Sequence, residues 1–313
     1  MTSYSILDDE EKQIHEQVYA SIEEIMGCTS LDTPEHRGRI IKKGLSKKRR
    51  TRGKMKAADF YSLSSGYAKS YLQLNDRLDK SDLLGTHMLI TEQAFKLAGT
   101  PADEERKKFV IDSSTGPDKH LKTIAIFMEG HFYGDIGDGS TGNFLQRVFE
   151  KRFLKFIDRL NDIDETAITN SGKYFKKYGG KSKRLESFAW ALHYLQDLTA
   201  PHHAGNYAIF FANFTDGFDT HFPFEKKARQ MINANPASFN KKAEALLKQL
   251  ETQFDPNDKK GFEKFCGIVH GMSVKNIDDR IKGGDEARWA EVINDALPLA
   301  IAATAAVLKK VAI

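Results

Sequence analysis

His193 and Asp197 stand four residues apart within LHYLQDLTAPHHAGN, residues 192–206, so a helix there would carry both on one face. His221 and Glu225, in HFPFE, repeat the interval. Between the two pairs, Pro201 is expected to stop or kink the first helix and let His203 turn back toward the same centre. Imidazoles mixed with carboxylates at this density are the donor set of a zinc site. The chain has 2 cysteines, Cys28 and Cys266, far apart in sequence. Thiolate ligation and a disulfide framework are therefore not the theme, and the ligands are nitrogen and oxygen. The chemistry this set offers is that of a metalloenzyme.

Helices must position these residues. Apolar stripes of helical period run through residues 10–26, 82–98, 119–129, 142–160, 182–200, 221–233, 238–253, 259–272 and 285–312, while alternating patterns are scarce. The expectation is an all-α fold: one multi-helix domain around a metal cluster, with an N-terminal extension. Turns are expected at Gly134–Gly142, Gly179-Gly180 and Gly283-Gly284. The chain has 313 residues, 40% hydrophobic and 29% charged, enough apolar mass for a large core. The end, residues 297–313, is interrupted by Pro298 and Lys309-Lys310, and reads as a closing core helix rather than a membrane span.

The composition shifts near residue 75. Residues 1–75 form the expected extension, with a basic run over 37–54, and residues 76–313 the expected catalytic domain. The net charge is only +4, which does not force a nucleic-acid reading. The basic run could hold nucleic acid, an anionic membrane surface or an acidic partner, and fits a solvated connector equally. It lacks interleaved aromatics, so no stacking platform for single strands is indicated. Residues 61–74 read as another helix or a docking segment. The first residues show neither a basic nor an apolar leader region. The expectation is a cytoplasmic protein, one exported by another route, or one whose leader has been removed.

Two upstream clusters add donors. One is Thr86-His87-Met88; the other is Gly116-Pro117-Asp118 followed by His131-Phe132-Tyr133. With His193-x3-Asp197-x5-His203 and His221-x3-Glu225, their order and spacing resemble those of the zinc-dependent phospholipase C family of bacteria, whose relatives include the clostridial α-toxin catalytic domain. More distantly the pattern is similar to the trinuclear-zinc nucleases that cut single strands. The resemblance covers about residues 76–313. Weaker echoes are Lys173-Tyr174-Phe175, Val269-His270-Gly271 and Arg288-Trp289-Ala290-Glu291-Val292.

The resemblance implies an all-α fold holding two or three Zn2+ ions. It implies that Asp118, His131, His193 and Asp197 hold one zinc, that His87 and a bridging Asp197 hold a second, and that His203, His221 and Glu225 hold a third. It also makes Asp118 a candidate general base besides a ligand. The implied activity is hydrolysis of a phospholipid or other phosphodiester by zinc-activated water. A nuclease and a non-catalytic metal-stabilised module are the alternatives. The closing pair separates the first two, since the nucleases usually end in His-x3-Asp and this chain has Glu225. The basic run speaks for nucleic acid.

The chain departs from the family in three places. The family's second zinc is completed by an N-terminal Trp, and the only tryptophans here are Trp190 and Trp289. Processing could expose another N-terminus, making residues 1–75 a pro-segment; Asp79 or Asp82 could supply oxygen; or the second zinc could be weak or absent. Lys119 follows Asp118 where choline-lipid relatives carry Tyr, and Met128 stands where a Phe would help cage a quaternary ammonium. An anionic or different headgroup, or a substrate that is not a lipid, is the expectation. Outside the ligand set, His202 is passed over for His203 by the ten-residue step from His193. His120 is exposed or orients a ligand, His270 packs or hydrogen-bonds in a helix, and His15 and His36 have no assigned chemistry.

Overall fold

The computed structural model describes residues 5–14, 85–101, 103–119, 131, 166–180, 184–204, 221–258, 260–274, 286–311 and 313, and among these the regular structure is helical with no strand. In chain order the helices are α1 (Thr86–Ala98), α2 (Glu104–Ser113), α3 (Gly116–Lys119), α4 (Ala167–Gly179), α5 (Leu185–Asp197), α6 (Pro201–Ala204), α7 (His221–Ala234), α8 (Pro236–Leu250), α9 (Gly261–Ser273) and α10 (Glu286–Lys310). The stripes expected at 119–129 and 142–160, the glycine turns at 134–142 and 283–284, the basic run, and residues 61–74 lie outside the described residues.

A helix that is apolar all round must be covered all round. In α10 every residue from Ala296 to Leu308 is buried. Its many alanines present little bulk, and α1, α5, α7, α8 and α9 all pack on it. By length and composition it could cross a membrane, but here the helices around it supply the apolar surroundings. Pro298 does not interrupt it. Proline has no N–H to give the carbonyl four residues back, and that carbonyl, Asn294 O, accepts instead from Lys242 Nζ of α8 at 3.1 Å.

Local signals set the other ends. Gly99 closes α1 in the left-handed region at φ 62°, its N–H donating to Phe95 O. Asp103 caps α2, accepting from Glu105 N. Thr166 and Thr169 form a reciprocal capping box at the start of α4. Asn235 caps α8 and Pro236 occupies its first turn. α5 lies between α4, α2 and α10, and its residues Phe188, Ala189, Ala191, Leu192 and Leu195 are wholly inaccessible. Trp289, Phe188, Phe254 and Phe265 are the largest fully buried side chains, each worth about 1.5–3 kcal/mol by area.

Three elements differ from the stripe pattern. α2 and α4 lie outside the expected stripes. The helix expected over 182–200 is α5, shorter at both ends: it stops at Asp197, Thr199 and Ala200 turn on hydrogen bonds to Gln196 O and Asp197 O, and Pro201 begins α6.

The described part of the N-terminus belongs to the same body. Leu7 and Ile14 are buried in the core cluster. Ser5 Oγ donates to Glu286 Oε2 at 2.8 Å in the first turn of α10.

Candidate metal centre

α5 presents the central pair. His193 and Asp197 occupy one face, His193 Nε2 lying 3.3 Å from Asp197 Oδ2, and their side chains are 0% and 4% exposed. α3 brings Asp118 Oδ1 to 3.4 Å from His193 Nε2. His131 puts Nδ1 2.8 Å from Asp197 Oδ2, 3.2 Å from His193 Nε2 and 4.0 Å from Asp118 Oδ1. α1 contributes His87, whose Nε2 is 3.5 Å from Asp197 Oδ1 and 4.0 Å from Asp118 Oδ2. Both carboxylates therefore straddle the site. Asp197 turns Oδ2 to His131 and His193 and Oδ1 to His87, and Asp118 divides its oxygens the same way.

Backbone and amide oxygens aim the rings. His193 Nδ1 donates to Ser114 O at 2.8 Å, just before α3. His87 Nδ1 donates to Gln196 Oε1 at 2.8 Å. Gln196 is itself buried and donates to Thr91 Oγ1 at 3.0 Å and to Thr304 Oγ1 of α10 at 3.3 Å. Each bond places the ring proton on Nδ1 and leaves the Nε2 lone pair facing the carboxylates, the arrangement that orienting partners give metal-binding histidines. Gly116 lets α3 come close: a Cβ there would sit 2.4 Å from Trp190 Nε1.

The donors ask for a cation. A neutral His193 aims a lone pair at two carboxylates in a buried space. Burial disfavours a charged ring, yet Asp197 and then Asp118 overcome it and raise the His193 pKa to about 9. Burial acts against the Asp197 carboxylate in the same way, and His193, His131 and His203 hold its pKa well below the usual carboxylate range. His87 moves the other way: burial, reinforced by the charge of His193, lowers its pKa against Asp197 and Asp118, so its Nε2 stays bare. A tetrahedral zinc with bonds of about 2.0–2.1 Å sets its donors about 3.3–3.4 Å apart. The separations among Asp118 Oδ1, His131 Nδ1, His193 Nε2 and Asp197 Oδ2 bracket that edge, running from 2.8 to 4.0 Å. In each of the triplets His131–His193–Asp197 and His87–Asp118–His193 the donor atoms lie within 4.8 Å of one another. Residues and spacing fit zinc.

A second group stands beside this one. His203, in α6, donates from Nδ1 to His131 O at 2.9 Å and turns Nε2 to Glu225 Oε1 of α7 at 3.4 Å. Burial disfavours protonation of His203, but Asp197 and Glu225 outweigh it and raise its pKa. His221 opens α7, and its side chain lies outside the described residues, as do those of Asp79, Asp82, His120 and Met128. His202 is fully buried edge-on to Phe224, ring centroids 5.0 Å apart, and His270 Nε2 donates to Ala204 O at 2.9 Å.

Sequence reasoning named none of the orienting groups. Ser114 and His131 act through backbone oxygens, which no residue type announces. Gln196 left one signal, a polar amide beside Asp197 on a helix with no exposed face.

No protein-family profile matches the chain, and no curated protein matches its sequence. Solved structures do match in shape. Alpha toxin from Clostridium absonum aligns with a TM-score of 0.52 at 16% identity, over 72% of this chain and 63% of that one. Alpha toxin from an avian strain of Clostridium perfringens aligns with a TM-score of 0.44 at 15% identity, over 74% of this chain and 64% of that one. The all-α fold of the matched part of the first toxin is the fold this chain has.

Proposed function

We propose that the chain is a zinc-dependent phosphodiesterase of the phospholipase C type, hydrolysing a glycerophospholipid to diacylglycerol and a phosphorylated headgroup. The observation that carries this reading is the convergence of His87 from α1, Asp118 from α3, His193 and Asp197 from α5, and His131 on one partly open site. In this reading Asp118, His131, His193 and Asp197 hold one zinc, His87 and the bridging Asp197 a second, and His203, His221 and Glu225 a third. Residues 76–313 are the catalytic domain and residues 1–75 its extension.

Bound zinc supplies Lewis acidity, lowering the pKa of water and offsetting charge on phosphoryl oxygens. The chain's residues do the rest. Asp118 is 36% exposed while Asp197 is 4% exposed, so Asp118 is the carboxylate that reaches solvent and substrate. It takes a proton from the attacking water as the new O–P bond forms. That proton is then available to the diacylglycerol oxygen as its bond to phosphorus breaks. His193, locked on Ser114 O, keeps Asp118 and Asp197 apart and oriented. Lys119 follows Asp118 in sequence, and the positive charge it adds supports an anionic headgroup over a choline. A bilayer carrying anionic lipid is the matching surface for substrate.

Glu225 in the closing pair supports lipid over nucleic acid. The test is zinc quantification on purified protein with hydrolysis assays on phospholipid vesicles and on single-stranded nucleic acid. Bound zinc with vesicle hydrolysis is expected. Strand cleavage alone would replace the lipid reading with the nuclease one, and bound zinc with neither activity would leave a non-catalytic module.

A further inference from the structure

Residues 5–14 are remote from the site in sequence but reach the helix that carries Glu225. Asp8 and Glu11 close a capping box: Glu11 N donates to Asp8 Oδ1 at 2.8 Å, and Asp8 N donates to Glu11 Oε2 at 2.9 Å. The segment's start is fastened to the first turn of α10, where Glu286 accepts from Ser5 Oγ at 2.8 Å and from Ile6 N at 3.3 Å. Leu7 and Ile14 anchor it in the core, 3% and 9% exposed. The oxygen that caps Asp8, Glu11 Oε2, also accepts from Lys226 Nζ, in an ion pair whose side chains are 6% and 15% exposed. Lys226 is the residue after Glu225.

The first turn of a helix lacks internal partners for its N–H groups and is the part most prone to fray. In α7 that turn bears His221 and Glu225. On the core side Phe224, Ala228 and Ile232 hold the helix down, Phe224 lying against Trp289. Those contacts are apolar and leave rotation and sliding weakly specified. A shielded ion pair one residue from Glu225 fixes both, because each partner is costly to leave alone in that setting.

We propose that residues 5–14 are a strap that sets the first turn of α7, with Glu11 and Lys226 as the positioning pair for Glu225 and for the metal it would hold with His203. The inference rests on the metal reading above. It also assigns the start of the chain a supporting role: a pro-segment that blocked the cleft would raise zinc access and activity when loosened, whereas loosening the strap lowers the affinity of one ion.

The experiment is zinc loading of the full chain against a graded chelator, with helicity and melting followed in parallel. Glu11→Gln keeps the cap, because glutamine serves the capping box as well, and removes the charge facing Lys226. One zinc per chain is expected to weaken about tenfold, the lower end of what orienting partners contribute, while the remaining zinc keeps its affinity. Lys226→Arg, which keeps the charge, is expected to load like the unaltered protein. Glu286→Gln loosens the strap at its far end and should weaken the same ion by a smaller factor, which serves if Glu11→Gln fails to fold. Unchanged loading in Glu11→Gln, or equal weakening of every ion, would overturn the strap and leave the metal reading standing. An unaltered chain that takes up no zinc would overturn both.

Discussion

The two halves of the candidate centre are built differently. Around Asp197 the donors come from α1, α3, α5 and His131, and His87 and His193 are each pinned by a carbonyl-type oxygen behind them. Around Glu225, among the described side chains, one ring is pinned in that way, His203, beside a carboxylate that is 31% exposed on the first turn of a helix. The first half is preorganised by the core, since Gln196 reaches Thr304 of α10. The second depends on how α7 is seated. Metal affinity should follow that difference: tight where donors are held before the ion arrives, weaker where a helix start must be held in place by other contacts.

The largest effect is expected at Asp197, the carboxylate proposed to serve both ions of the first half. Asp197→Asn should cost at least about a hundredfold in affinity for two ions, beyond what orienting partners are worth, and turnover with it. Zinc content after gel filtration reads this directly, and an unaltered content would end the bridging assignment.

Gly116→Ala comes next. The added Cβ would meet Trp190 at 2.4 Å. Overpacking of this kind costs about 1–3 kcal/mol and should push Asp118 outward. A lowered melting temperature with weaker zinc in the first half is expected; loss confined to the Glu225 half would invert the comparison.

Gln196→Leu removes the acceptor that orients His87 while keeping the volume apolar. About 10–100-fold is expected in the affinity of one ion, with no change at His203–Glu225. Stepwise chelator titration separates the two, and equal loss in both halves would show that they are one cooperative unit.

The last effect is graded rather than abrupt. His193 has a pKa raised from 6.5 to about 9 in the metal-free protein. Its pairing with the carboxylates stabilises that form fully below pH 6.5, and the contribution is lost as pH rises through about 9. The lowered pKa of Asp197 works in the opposite sense, stabilising at neutral pH and failing as acid protonates it. Zinc must displace the proton on His193, so affinity in the first half should rise about tenfold per pH unit up to about pH 9, then level off. Calorimetry in buffers of different ionisation heat would detect the released proton, and a flat affinity from pH 7 to 9 would contradict the assignment.

The fold class was legible because most helices announce themselves. α5, α8, α9 and α10 fall on apolar stripes, and glycine at 179–180 closes α4. The two helices outside the expected stripes differ from each other. α2 reads EERKKFVIDS and buries only Val110. α4 packs Ile168, Tyr174, Phe175 and Tyr178 against the core, but Thr169, Asn170, Ser171, Gly172 and Lys173 interrupt the apolar run between them. At the centre, spacing put His193 and Asp197 on one face, but nothing in residue type foretold that Asp118 would divide its oxygens between His87 and His193, which depends on the single turn of α3.

The burial of α10 has a consequence for how this molecule comes apart. A rod enclosed on all sides cannot be exposed piecemeal, because freeing it requires its neighbours to separate together. The amide hydrogens between Ala300 and Val307 should therefore exchange with solvent only through complete opening, at a rate that reports the stability of the whole assembly of helices.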